Sequence, residues 1–276
     1  MIPFDELAVG SHRLACPLCA RKPSEKNLGV TVEPDGGAVA HCFKCQYVES
    51  RRPRRTFRPR LPKAPIRAAQ APKLETLSDY GLEMWRASRP VHGAARSYLE
   101  SRLCVLPPED GDLRCHPALK HPSGYIGPAL VALISNTENG QQMSLHRTWV
   151  KPDGTKADVE PPRMLLGGHR KAGGVIRLWP DDSITHGLAL AEGVETALSL
   201  AHGYTPVWSC IDAGNMAAFP VLPGIEALSV AVDHDPAGVK AANQCAERWH
   251  AAGREVRLVM PPRAGVDLND IALEAA

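Results

Sequence analysis

The last hundred residues switch repeatedly between two periodicities, and this limits the possible folds more than any other feature of the chain. "GLALAEG" reads as a buried strand at 187–191, "VETALSLAHG" as a helix with a glycine stop, "PVWSCID" as a strand and "GNMAAF" as a short helix. "ALSVAVD", "PAGVKAANQCAERWHAAG", "EVRLVM" and "DLNDIALEA" continue as strand, helix, strand and terminal helix. Strands alternating with helices predict a parallel sheet covered on both faces. Ligands of such sheets bind at the carboxyl ends of the strands.

Acidic residues gather at those ends. Glu192 follows the first strand, with Glu195 one helical turn on, and Asp233 and Asp235 follow the third. Asp267 and Asp270 enter after the fourth strand, three apart and so on one helix face. Alternation points Asp233 and Asp235 the same way, where they would repel unless a cation sat between them. Oxygen-only ligands of this density suit Mg²⁺ or Mn²⁺. The bland alternative is that Asp235 caps the following helix, with Pro236 in its first turn. That accounts for one acid of six. A calcium loop is disfavoured because no glutamate follows at the required position.

The N-terminal end carries a different cluster. Cys16, Cys19, Cys42 and Cys45 form two Cys-x2-Cys pairs, which read as four thiolates around one tetrahedral zinc; a disulfide pair or idle thiols are the alternative. "GVTV" and "AVAHCF" read as strands about a "PDGG" turn, so the second pair arrives on a hairpin. His41 could replace one sulfur. Cys104, Cys115, Cys210 and Cys245 are scattered and read as small buried hydrophobes.

At 276 residues the chain suits about two domains of ~100–150 residues. No run of ~18 apolar residues occurs, so no membrane span is expected. "MIPFDELAVG" has two acids and no basic residue ahead of its apolar residues, unlike a secretory signal, and a cytoplasmic location is expected. The net charge of +2 conceals a local excess. Ser50 to Leu74 holds nine basic residues, Arg51, Arg52, Arg54 and Arg55 among them, with five prolines and no acid, leaving −7 for the rest of the chain. This stretch cannot build a core and reads as an extended basic tether. It suits a polyphosphate partner, or else serves as a solvated spacer.

Between tether and C-terminal region, "LSDYGLEMWRASRP" predicts a helix capped at Ser78, and "HGAARSYLESRL" a second whose aromatics are core. Residues 128–178 read as β structure with turns at "NTENG", "KPDG" and "LGGHRKAGG". Arg147, Lys156, Arg163, Arg170 and Lys171 lie on or beside these strands and glycine turns, where backbone amides and guanidinium groups can meet an anion. Basic hairpin turns that are merely wet would look the same.

"LAEGVETALSL" followed by "VAVDHDPAG" resembles the Toprim domain shared by bacterial-type primases, type IA and II topoisomerases, some repair nucleases and recombination-mediator proteins. Glu192-Gly193 with Glu195 matches the first motif, and Asp233 with Asp235 the second. "HGAARSYLESR", "LHRTWVKPDGTKA", "PPRMLLGG" and "VDLNDIAL" make the wider chain similar to phage and plasmid primases. The resemblance implies an α/β fold with a C-terminal Toprim domain at 183–276, an α+β primase subdomain at 76–182, a basic linker at 51–75 and a zinc ribbon at 1–50. It implies a primase that makes short RNA on single-stranded DNA from nucleoside triphosphates, with one zinc ion and catalytic Mg²⁺ or Mn²⁺. Asp233 and Asp235 would be the main metal ligands and Glu192 a ligand or proton acceptor. Glu195, Asp267 and Asp270 would serve a second metal or support the first. Arg147, Lys156 and Arg163 would hold template or triphosphate. Cellular primases have a His where this chain has Cys19, while phage-type relatives use four cysteines. The sequence has no Gly-x-x-x-x-Gly-Lys-Ser/Thr loop, so no motor of its own is expected and a separate helicase is implied. A non-catalytic recombination clamp and a metal-dependent nuclease are the rivals.

Overall fold

A computed structural model of the chain describes residues 2–52 and 72–274. Arg54 and Arg55, and most of the expected basic tether, lie outside the described residues. The chain divides into two compact units, a smaller one of Met1–Gln70 with Asp235–Ala237 and a larger one of Ala71–His234 with Gly238–Ala276.

The N-terminal unit is a four-stranded antiparallel sheet in chain order: β1 (Gly10–Leu14), β2 (Leu28–Val32), β3 (Ala38–Cys42) and β4 (Val48–Arg51). Period-2 alternation sorts its faces. Leu28, Val30 and Val32 pair with Cys42, Ala40 and Ala38 and turn inward onto Ile2, Phe4 and Cys16. The β2–β3 turn closes where expected, with Gly36 at φ +81°, a conformation costly for any side chain.

The larger unit opens with α1 (Asp79–Ala87), capped by Ser78, whose Oγ accepts from the Gly81 amide at 3.3 Å. β5 (Arg89–Pro90) and α2 (Gly93–Ser101) follow. Then come β6 (Leu113–Lys120), β7 (Ile126–Asn136), β8 (Gln142–Trp149), β9 (Arg163–Leu165) and β10 (Gly174–Val175). These strands form an antiparallel sheet ordered β5-β6-β7-β8-β9, with β10 on β7. The apolar run of β7 is explained by burial on both sides. Ala129, Val131 and Leu133 pack with Met84 and Trp85 of α1, while Leu130, Ala132 and Ile134 pack with Tyr98 and Leu99 of α2.

The C-terminal part has the expected α/β architecture. Its elements are β11 (Gly187–Ala191), α3 (Val194–Leu200), β12 (Val207–Ser209), α4 (Ala213–Ala218), β13 (Ala227–Ala231), α5 (Pro236–Ala251), β14 (Glu255–Val259) and α6 (Leu268–Glu274). The four strands are parallel, in the order β12-β11-β13-β14. Leu188 and Leu190 face the core that holds Trp249 of α5; Ala189 and Ala191 face the core that holds Ala197 and Leu198 of α3. The helices after the adjacent strands β11 and β13 thus leave to opposite sides. That is a topological switch point, where open α/β sheets form their ligand crevice. Cys104, Cys115, Cys210 and Cys245 are buried, as expected of small hydrophobes. Among the described residues no helix is long and apolar enough to cross a membrane.

Candidate functional site

In the N-terminal unit the four paired cysteines converge. Their Sγ atoms all lie within 4.8 Å of one another, with Cys16 to Cys45 at 3.6 Å and Cys19 to Cys42 at 3.5 Å. A disulfide holds sulfurs at about 2.05 Å, so these are free thiols. Zinc–sulfur bonds of about 2.3 Å in a tetrahedron would space sulfurs about 3.8 Å apart, and the all-sulfur donor set fits one zinc ion. The Asn27 side chain braces the first cysteine pair. Its Oδ1 accepts from the Cys16 amide at 2.9 Å and its Nδ2 points at Cys19 Sγ at 3.6 Å. Burial pushes the Cys42 thiol up, but the amides of Cys45 and Lys44 aimed at its sulfur bring it down to about 7, favouring a thiolate. His41 is not a ligand; its Nε2 lies 3.0 Å from Gln46 Oε1. Beside the cluster, Phe43 is 56% exposed and its ring covers Gly29, where a Cβ would come within 2.8 Å of it. The Arg13 guanidinium lies 4.4 Å from the Phe43 ring centre. Arg51 is spent on its own unit, pairing with Asp5 at 2.5 Å and donating to Gly36 O at 2.9 Å, while Arg52 is exposed.

The carboxyl ends of β11 and β13 carry Glu192, Asp233 and Asp235. The Glu192 carbonyl accepts from Ser209 Oγ at 3.0 Å, pinning the strand end to its neighbour. Between the two aspartates, His234 is held on both sides. Its Nδ1 donates to Pro261 O at 2.8 Å and its carbonyl accepts from Gly265 N at 2.6 Å. Asp235 Oδ1 accepts from the Ala237 amide at 3.0 Å, so it does cap α5. Gly238 lets the first turn of α5 close on the strand end: a Cβ there would stand 2.4 Å from Asp233 O. The oxygen-only donors suit a hard divalent cation. Among the described residues, the four cysteines are the one group of three or more His, Cys, Asp or Glu side chains whose ligand atoms gather as a metal would need.

The other three acids have partners of their own. Asp267 and Asp270 form a reciprocal cap on α6: the Asp270 amide donates to Asp267 Oδ1 at 2.8 Å and the Asp267 amide to Asp270 Oδ2 at 3.2 Å. Burial pushes the Asp267 carboxyl up. Asn269 between them is fully buried and donates to Arg102 O at 2.6 Å and Ser199 Oγ at 2.9 Å. Glu195 lies in α3, a helix whose every residue is buried, where an unpaired charge would be costly. Its Oε1 accepts from the Tyr98 hydroxyl at 2.7 Å and forms an ion pair with Arg163 Nη2. Burial alone would raise its pKa, but the Arg163 guanidinium, the Lys156 ammonium and the Tyr98 hydroxyl hold it at about 2.

Around Glu195 stands a nest of cations. Burial, then Arg163, pulls the Lys156 ammonium below its usual range, and Arg102 adds further repulsion. Burial, again followed by Arg163, pushes His146 down to about 3, so it is neutral at physiological pH. The Nε–H groups of Arg102 and Arg163 are buried and make no hydrogen bond among the described residues. The Arg163 side chain is still 38% exposed, and arginine forks suit an acceptor-rich anion.

The structure separates the remaining basic residues from this nest. Arg147 was expected to hold phosphate together with Lys156 and Arg163, but Arg163 pairs with Thr148, and consecutive strand residues face opposite ways. It donates to Leu165 O at 2.9 Å and lies over Trp149 on the α1 side. Arg170 pairs with Glu75 at 2.7 Å, and Lys171 with Asp212 at 2.6 Å. Both staple the glycine turn to neighbouring segments. Sequence reasoning missed Arg102 and assigned Tyr98 to the core alone; neither carries a motif that separates it from an ordinary helix residue.

This arrangement defines a class. Residues 187–276 match the Toprim domain family and carry a Toprim-like parallel sheet, with Glu192, Asp233 and Asp235 after its strand ends. Residues 75–178 match a domain of unknown function, DUF7146. No curated protein matches the chain. Three solved structures of DNA primases show a distant likeness. A DNA primase domain from Pseudomonas aeruginosa is 15% identical with a TM-score of 0.36, covering 56% of this chain and 51% of its own. The primase fragment of the bacteriophage T7 primase-helicase is 17% identical with a TM-score of 0.43, covering 97% and 96%. The zinc-binding and RNA polymerase domains of the Aquifex aeolicus primase are 15% identical with a TM-score of 0.46, covering 97% and 76%. The chain spans about half the length of the Pseudomonas chain. These likenesses are too distant to carry a function across.

Proposed function

We propose that this chain is a DNA primase that joins ribonucleotides on a single-stranded DNA template. One juxtaposition supports this reading above others: Glu192, at a strand end on the Toprim switch point, is followed one helical turn later by Glu195, which anchors a nest of half-buried cations. Phosphoryl transfer is mostly positioning and charge stabilisation, and that pairing supplies both. Glu192, Asp233 and Asp235 are the residues that would hold Mg²⁺ or Mn²⁺. The cation, when bound, lowers the pKa of the attacking hydroxyl and neutralises the charge at phosphorus.

Arg163, Lys156 and Arg102 would take the triphosphate of the incoming nucleotide through charge-assisted hydrogen bonds. His146, held neutral, keeps that nest from gaining a further like charge. In the N-terminal unit, the exposed Phe43 ring with Arg13 beside it offers a stacking platform for a template base. A separate helicase would open the template, and the work would take place in the cytoplasm.

The test is synthesis of short RNA chains from single-stranded DNA, ribonucleotides and Mg²⁺ or Mn²⁺, run beside Asp235→Asn. Synthesis by the unaltered protein and its loss in the variant support the reading. Metal-dependent degradation of the template without synthesis selects a nuclease instead. DNA binding that is indifferent to the substitution, with no incorporation by either protein, selects a non-catalytic clamp.

A further inference from the structure

Tyr98 lies on α2, 97 residues from its partner Glu195. Its ring is buried in the core that also holds Leu99, Leu113 and Ile134, a setting that a phenylalanine would fill as well. Its hydroxyl, buried with the ring, donates to the same Glu195 Oε1 that receives Arg163 Nη2. The last torsion of a glutamate is broad, so one ion pair leaves the carboxylate free to turn. A second donor on Oε1, coming from a different element, fixes that rotation and with it the direction in which the guanidinium lies. We infer that Tyr98, acting through Glu195, is a positioning residue that aims Arg163 at the phosphates of a bound nucleotide. The inference rests on the triphosphate-binding part of the proposed reading. It assigns Glu195 to orienting a cation, its Oε1 being occupied by two donors.

The experiment measures binding of inorganic tripolyphosphate in buffer without added divalent cation. It compares the unaltered chain, Tyr98→Phe, Arg163→Lys and the double variant. Tyr98→Phe keeps the ring and the packing, and should weaken binding by roughly tenfold, the size of one lost hydrogen bond to a charged group. In the Arg163→Lys background the same change should cost nothing further. In primer synthesis, Tyr98→Phe should raise the nucleotide KM while leaving kcat and the Mg²⁺ requirement unchanged. Unaltered tripolyphosphate affinity in Tyr98→Phe overturns the inference, as does an equal loss in both backgrounds, which would mark a merely structural hydroxyl. Failure of the unaltered chain to bind tripolyphosphate overturns it together with the phosphate role of Arg163. Coupled binding without any RNA synthesis upholds the network and sinks the primase reading.

Discussion

Gly238 shows how a single missing side chain can set a site. A Cβ there would lie 2.4 Å from Asp233 O and 3.0 Å from Asp233 Cβ, so either α5 or the strand end would have to move. Gly238→Ala should lower stability by about 1–3 kcal/mol, the usual range for overpacking, and should reduce activity more than its loss of stability explains. At Gly187 the nearest atom to an added Cβ is 3.5 Å away, so Gly187→Ala is the control and should stay active. Thermal melts with activity at matched folded fraction check both. Glu195 carries a pH signature. Its folded pKa of about 2 lies below the ordinary 4.5, so its ion pair stabilises fully above about pH 4.5 and is lost as pH falls toward 2. The contribution is on the order of 3 kcal/mol. Denaturant unfolding between pH 5 and 2 should be less steeply pH-dependent in Glu195→Gln than in the unaltered protein. From the sequence, Glu195 was read as serving a second metal or supporting the first, because it follows Glu192 by one helical turn and the motif resembles the Toprim one. Spacing cannot show that Arg163, 32 residues earlier, folds back onto it.

Among the elements, the parallel strands were the most legible. Their apolar runs end at glycines or acids, so β11 and β13 fall where the run itself stops. The sequence does not reveal which neighbour each strand chooses, nor therefore the switch point between β11 and β13. The same limit explains Arg147 and Arg163: β8 and β9 were recognisable as strands, but only the pairing of His146 with Leu165 and of Thr148 with Arg163 decides which side chains share a face. The cysteine hairpin was readable because a turn of fixed chemistry links two strands of matched length. It yields a local prediction. All five tryptophans, Trp85, Trp149, Trp179, Trp208 and Trp249, belong to the larger unit. Stripping the metal with a chelator, or Cys42→Ser, should therefore open residues 2–52 to proteolysis while tryptophan emission stays unchanged. A shift in emission on chelation would contradict independent folding of the two units.

Over the whole molecule, charge is segregated more sharply than the net value of +2 suggests. A basic stretch at 50–74 opposed to −7 elsewhere should make DNA binding strongly dependent on salt. Replacing Arg52, Arg54 and Arg55 by glutamine should flatten the slope of log K against log salt by up to about 2, at about 0.7 for each phosphate no longer neutralised. A slope unchanged by these substitutions would leave the stretch a spacer. Deleting residues 1–50 should spare tripolyphosphate binding by the larger unit and depress template-dependent initiation; full initiation after the deletion would exclude the stacking role given to Phe43. The two family matches meet in the short interval between residues 178 and 187. The buried tie of Tyr98 and Arg163 to Glu195 crosses it. A fragment severed there would strand a naked carboxylate on one piece and an uncompensated cluster of cations on the other. Cut in that interval, the polypeptide should fail to give two self-sufficient parts, which separate expression of the two fragments would check.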